Sequence, residues 1–170
     1  DNMVFSDANK MILGNGLPKY YAGWNNTFRY KNIDLGITMR GAFAYQILNS
    51  MRVYYENPQV IQYKLLKSAY DKVFGKTVLN NTPGWNSYYI ENGDYWKIDN
   101  ITLGYNIKTP KIHYIKNVRL YVSTLNTFTF TKYKGIDPAG VNELGLNPGT
   151  DQRDSYPSVR TFTFGLNASF

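Results

Sequence analysis

Five aromatic residues stand close together near the middle of the chain: Trp85, Tyr88, Tyr89, Tyr95 and Trp96. Flat aromatic faces of this kind stack on sugar rings or on peptide side chains. The same residues also suit packing within a loop, or a girdle where water meets an apolar medium. A second group is acidic: Asp137, Glu143, Asp151 and Asp154. Carboxylate oxygens suit hard cations such as Ca²⁺, but this spacing matches no EF-hand, and a solvated acidic loop is the reading. His113 is the single histidine and there is no Cys, so the chain offers no ligand set for a transition metal and no thiolate chemistry. No nucleophile elbow, phosphate-cradling loop or paired-carboxylate arrangement stands out. Neither a catalytic residue nor a metal or cofactor is assigned, and an enzyme is not expected. The net charge is +7, carried by scattered Lys and Arg with no recognition motif, so nucleic acid is not an expected partner.

The elements that would position these groups are read most easily from the end of the chain. Phe162, Phe164, Leu166, Ala168 and Phe170 alternate with Thr161, Thr163, Gly165, Asn167 and Ser169. An unbroken period of two is a strand with one apolar and one polar face. A strand that ends the chain on an aromatic is unusual in water, where end residues fray. It suits a transmembrane β-barrel, whose outer face is solvated by lipid.

Four more strands follow the same rule, near residues 20–31, 32–45, 94–107 and 118–130, with the last near 159–170. Trp24, Asn26, Phe28 and Tyr30 alternate with Asn25, Thr27, Arg29 and Lys31. Ile33, Leu35, Ile37, Met39 and Phe43 oppose Asp34, Gly36, Thr38, Arg40 and Ala42. Ile101, Leu103, Tyr105 and Ile107 oppose Thr102, Gly104 and Asn106. Val118, Leu120, Val122, Phe128 and Phe130 share a face that Thr124 and Asn126 interrupt. The connections alternate in length: a tight turn at Lys31-Asn32, a long stretch 46–93, a short link through Pro110, and a long loop 131–158. Within 46–93, Asn57-Pro58 reads as a helix start, and Ile61, Leu65, Ala69 and Val73 share a face that Gly75 ends, giving a helix of about four turns. There are 16 Tyr, 9 Phe and 3 Trp, a composition that suits aromatic girdles. No apolar run reaches the length of about 18 residues that a transmembrane helix needs.

Outer-membrane barrels have short periplasmic turns and long extracellular loops. On that rule 46–93 and 131–158 are extracellular loops and the final strand descends to the periplasm. Five strands do not close a barrel and bacterial barrels have even counts. Nothing at the N-terminus resembles a signal peptide either. The missing signal leads to the expectation of a mature chain or a piece of one, and the strand count to that of a C-terminal piece of a larger chain. The alternative is a self-contained small β-barrel or β-sandwich that serves as a binding or adhesion module.

Several blocks then point to a family. Trp24-Asn-Asn-Thr-Phe-Arg-Tyr-Lys-Asn-Ile-Asp-Leu35 resembles the NTFxYKNxDL stretch of the SusC/RagA family of TonB-dependent outer-membrane transporters. Glu91-Asn-Gly-Asp-Tyr-Trp-Lys-Ile-Asp-Asn-Ile-Thr-Leu-Gly-Tyr105 is similar to its E(D/N)GDYxKLxNxTLGY segment. Arg119-Leu-Tyr-Val-Ser123, with Asn126, resembles RLYVSxxN. Phe128-Thr-Phe-Thr-Lys-Tyr-Lys-Gly-Ile-Asp-Pro138 resembles TxTKYxGxDPE, and residues 156–170 resemble YPxxRTFTFGLNxxF. Ala139 stands where the family usually has Glu, and residues 46–86 match no block.

The resemblance implies an all-β fold: the last five or so antiparallel strands of a barrel of about 22 strands, with a helix-containing extracellular loop and the plug domain absent from this chain. It implies the outer membrane of a Gram-negative, Bacteroidetes-type bacterium. The implied partners are the remaining barrel and plug, a SusD-like surface lipoprotein, TonB acting through the plug, outer-membrane lipid, and an oligosaccharide or peptide ligand. Thr163, Gly165, Ala168 and Phe170 look like the C-terminal signal read by the outer-membrane assembly machinery.

Overall fold

The computed structural model describes residues 10–57, 64–71, 84–108, 114–141, 145–153 and 156–170. Its main element is a five-stranded antiparallel sheet of β1 (Tyr20–Tyr30), β2 (Ile33–Phe43), β5 (Tyr95–Lys108), β6 (Asn117–Thr131) and β8 (Thr161–Ser169), in the order β1-β2-β5-β6-β8. All four pairings are antiparallel, as the alternation predicts. A two-residue turn at Lys31-Asn32 joins β1 to β2, with Lys31 in the left-handed region at φ 53°.

Register carries the two faces across all five strands. Phe28, Leu35, Leu103, Val122 and Phe164 form one row. Tyr30, Ile33, Tyr105, Leu120 and Leu166 form the row beside it. The opposite face carries rows such as Thr27, Gly36, Thr102, Ser123 and Thr163. Among the described residues nothing covers the apolar rows, and Phe164 is 79% exposed. Among the described residues no helix is long and apolar enough to cross a membrane.

The irregular fourth strand has a physical cause. Thr38 pairs with Asn100 but Met39 with Ile98, so Asp99 is an extra residue in β5 relative to β2. Opposite it, β6 accommodates the shift at Asn126, whose φ is 50°. The bulge returns Ile98 and Ile101 to the same face although they are three positions apart. Arg40 holds the bulged carboxylate, with Nε 3.0 Å from Asp99 Oδ2.

The long connections are more structured than the sequence implies. Residues 46–93 contain β3 (Gln46–Asn49), the short helix α1 (Ser50–Tyr55) and β4 (Ile90–Asn92). With β7 (Thr150–Asp151) from the second connection they make a three-stranded sheet, order β4-β3-β7, in which β3 and β7 run parallel. The four-turn helix expected from Asn57-Pro58 to Gly75 is not what the described part shows. Residues 64–66 are not helical, Leu66 is extended, and only a single 3₁₀ turn covers Lys67–Tyr70. The Leu66 N–H donates instead to the Tyr55 carbonyl at 2.8 Å, a tertiary bond that pulls the chain back onto the end of α1. Pro58, Ile61, Val73 and Gly75 lie outside the described residues.

Candidate functional site at the loop end of the sheet

Two buried ionic assemblies hold these connections against the polar face of the sheet. Lys97, on the polar face of β5, is among the largest fully buried side chains. Its Nζ lies 2.9 Å from Asp137 Oδ2, in the loop that follows β6. The same carboxylate accepts from Ser158 Oγ at 2.5 Å and from the Ala139 N–H at 3.0 Å. Burial pushes the Asp137 carboxyl up, but these donors outweigh it and hold it below the usual carboxylate range.

The second assembly is an arginine between two glutamates. Arg52 in α1 reaches Glu56 at 2.6 Å and Glu91 of β4 at 2.5 Å, and all three are almost fully buried. Asn49 caps α1 through its side-chain oxygen, which accepts from the Arg52 N–H at 3.1 Å. The guanidinium also lies 4.6 Å from the Tyr88 ring centroid and 5.9 Å from that of Tyr89. Desolvation opposes the Arg52 charge, yet its bonds to Glu56 and Glu91 raise its pKa further. Glu91 Oε2 accepts from the Lys134 N–H at 2.7 Å, so one carboxylate joins both long connections.

Between these assemblies sits an apolar cluster of Ala42, Tyr45, Ile47, Tyr95, Tyr133 and Val141. Tyr133 donates its hydroxyl to Asp151. Burial raises the pKa of both groups, and the Asp151 carboxylate raises that of Tyr133 further. A bare Cα at Gly93 makes room for the Tyr45 ring, since a Cβ there would lie 2.6 Å from Tyr45 Cε2.

The five candidate aromatics do not converge. Tyr95 is buried in the apolar cluster, and Tyr89 is buried edge-on to Tyr88 with ring centroids 5.0 Å apart. Trp96 points to the opposite, apolar face, stacked on Phe43 at 6.0 Å with Nε1 3.3 Å from Met39 Sδ. Trp85 is 66% exposed and lines an open cleft of about 460 Å³ with Ser50, Tyr54, Tyr55, Gln152 and Arg153. The Arg153 guanidinium caps the Tyr54 ring at 3.9 Å. Sequence reasoning missed Tyr54, Gln152 and Arg153, because only the β3–β7 pairing brings their segments together.

Of the acidic group, Asp137 and Asp151 are engaged as described, whereas Glu143, Asp154 and His113 lie outside the described residues. Among the described residues no cluster of His, Asp or Glu could hold a metal ion. In the terminal strand Thr163 pairs with Ser123, Gly165 with Tyr121 and Ala168 with Val118, while Phe170 follows the last paired residue.

No protein-family model matches the chain. Its sequence is 30% identical over 184 residues to the TonB-dependent receptor P3 of Formosa agariphila, covering 99% of this chain and 18% of that protein. It is 31% identical over 181 residues to the TonB-dependent receptor SusC of Bacteroides thetaiotaomicron, covering 99% of this chain and 17% of SusC. The chain therefore spans under a fifth of the length of these relatives. The fold matches a chain of the RagAB peptide importer in the "open-open" state with a TM-score of 0.72 at 20% identity, over 90% of this chain and 17% of that one. The "closed-closed" state matches equally, at a TM-score of 0.72 and 22% identity over 91% of this chain. With relatives aligned along almost its whole length and the same antiparallel wall of strands, this chain belongs to the SusC/RagA family of TonB-dependent receptors.

Proposed function

We propose that this chain is the C-terminal stretch of barrel wall in an outer-membrane nutrient importer, with both long connections on the extracellular side. The carrying observation is the set of apolar rows that run in register across five strands with nothing over them. Aromatic residues lie toward both ends of that face. Trp96 and Tyr105 stand opposite Gly41 and Ile33, eight regular steps apart once the bulge is allowed for, which is about 27 Å along the strand and about 21 Å along the membrane normal at a tilt near 40°. That is close to the apolar band of an outer-membrane barrel, about 25 Å tall.

A sandwich or adhesion module would need a second layer on this face. The small sheet instead docks on the polar side, where Lys97 is buried. The relatives, TonB-dependent receptors, support a role in the outer membrane, and the neighbour described as a peptide importer supports import with a peptide as cargo; an oligosaccharide is the alternative cargo. A SusD-like lipoprotein would close the loop end, TonB would act through a plug in the rest of the receptor, and the exposure of Trp85 supports it as the aromatic that would touch ligand.

The test is the composition of the receptor purified from outer membranes in detergent, weighed by native mass spectrometry. The expected result is a receptor several times the 19.6 kDa of this chain, bound to a lipoprotein and releasing a small oligosaccharide or peptide. A 19.6 kDa protein that folds alone without detergent overturns the reading.

A further inference from the structure

Alternating faces leave the register of the terminal strand ambiguous. Slipping β8 by one residue would turn its phenylalanines inward, but a slip of two preserves both faces. Some non-periodic contact must therefore distinguish even registers. The sheet carries one. Gly165, the single glycine of β8, pairs with Tyr121. The Tyr121 ring lies across it so closely that a Cβ on residue 165 would sit 2.1 Å from Tyr121 Cζ.

The ring is itself held in place. The Arg119 guanidinium lies 5.3 Å from its centroid and reaches Asp34 of β2 at 2.5 Å. That ion pair crosses β5 above Gly104, where a Cβ would lie 2.6 Å from Arg119 Nη2 and from both Asp34 oxygens. Two bare glycines thus seat one continuous chain of contacts from β2 over β5 to β6 and onto β8.

We propose that Tyr121, positioned by Arg119 and Asp34, is the residue that sets the register of the terminal strand, with Gly165 as its seat. A slip of two would place Thr163 or Asn167 opposite Tyr121, and either Cβ would displace the ring. Gly165 is then required for what packs on it inside the sheet, apart from any role in recognition by assembly machinery.

The chain contains no Cys, so a pair introduced here reports register without interference from its own residues. In the full receptor assembled in cells, Ser123→Cys with Thr163→Cys reports the native register, Ser123→Cys with Thr161→Cys reports the slip that puts Thr163 opposite Tyr121, and Leu125→Cys with Thr163→Cys reports the slip that puts Asn167 there. The expected result is that Gly165→Ala loses the native crosslink and gains a slipped one. Adding Tyr121→Ala relieves the clash and returns the native crosslink to the level of Tyr121→Ala alone, which is below the parent. Either of two results overturns the proposal: Gly165→Ala crosslinks like the parent, or its defect is unchanged by Tyr121→Ala. The readout needs no ligand, so it stands or falls separately from the cargo of the receptor.

Discussion

Leu166 stands in the apolar row with Leu120, Tyr105, Ile33 and Tyr30, whereas Asn167 faces the polar side opposite Arg119. In a bilayer these neighbours meet different solvents. Leu166 shares its row with Tyr105 at the edge of the apolar band, so the full contrast is expected further along β8: Phe162→Arg, in the row of Ile101, is expected to cost roughly 2–4 kcal/mol and Thr163→Arg far less. Denaturant titration of the receptor refolded into lipid vesicles measures both, and equal costs would mean that the faces are misassigned. Buried charges pose the opposite case. Replacing Arg52 by Met leaves Glu56 and Glu91 buried without their partner, a loss of about 3–5 kcal/mol in the docking of the loop region. Hydrogen exchange of residues 46–57 checks it, and unchanged protection would show that Arg52 is dispensable. Little in the sequence marks Arg52, Lys97 or Glu91 as buried, because a charged residue in a loop or on the polar face of a strand is ordinarily solvated.

The second long connection is an element whose stability depends on two carboxyls of opposite tendency. Asp137 sits below the ordinary carboxylate range, so its contribution is present above about pH 4 and is lost as pH falls through its lowered value. Asp151 is raised by burial, so its contribution is present below about pH 4 and is lost as pH rises through its raised value. Docking of residues 131–158 is therefore expected to tighten on mild acidification and then to loosen in stronger acid. Protease nicking of that loop against pH tests this, and Asp151→Asn should flatten the first limb alone. Element existence was legible where the pattern was periodic, as in β1, β2, β5, β6 and β8. It was not legible for β3, β4 and β7, which are too short to show a period and exist because they pair with one another. The stripe of Leu65 and Ala69 suggested a longer helix, but short helices are marginal alone and the bond from Leu66 to Tyr55 wins.

At the scale of the whole molecule, the proposed orientation puts the 131–158 loop outside the cell and the link between β5 and β6 in the periplasm. Leu146 is 99% exposed in the former and Tyr114 is 81% exposed in the latter. In intact cells Leu146→Cys should react with a membrane-impermeant maleimide, and Tyr114→Cys only after the outer membrane is opened. The reverse pattern would invert the topology. The sequence alone determined the five long strands and their two faces, because a period of two along a strand is a local property that needs no partner. Its ordered blocks also determined the family. Only the tertiary structure decided which loop residues are buried, that Asp99 forms a bulge, and that Tyr121 rests on Gly165. Those features depend on which strands lie side by side and in what register, and an apolar alternation that repeats every two residues does not encode that choice.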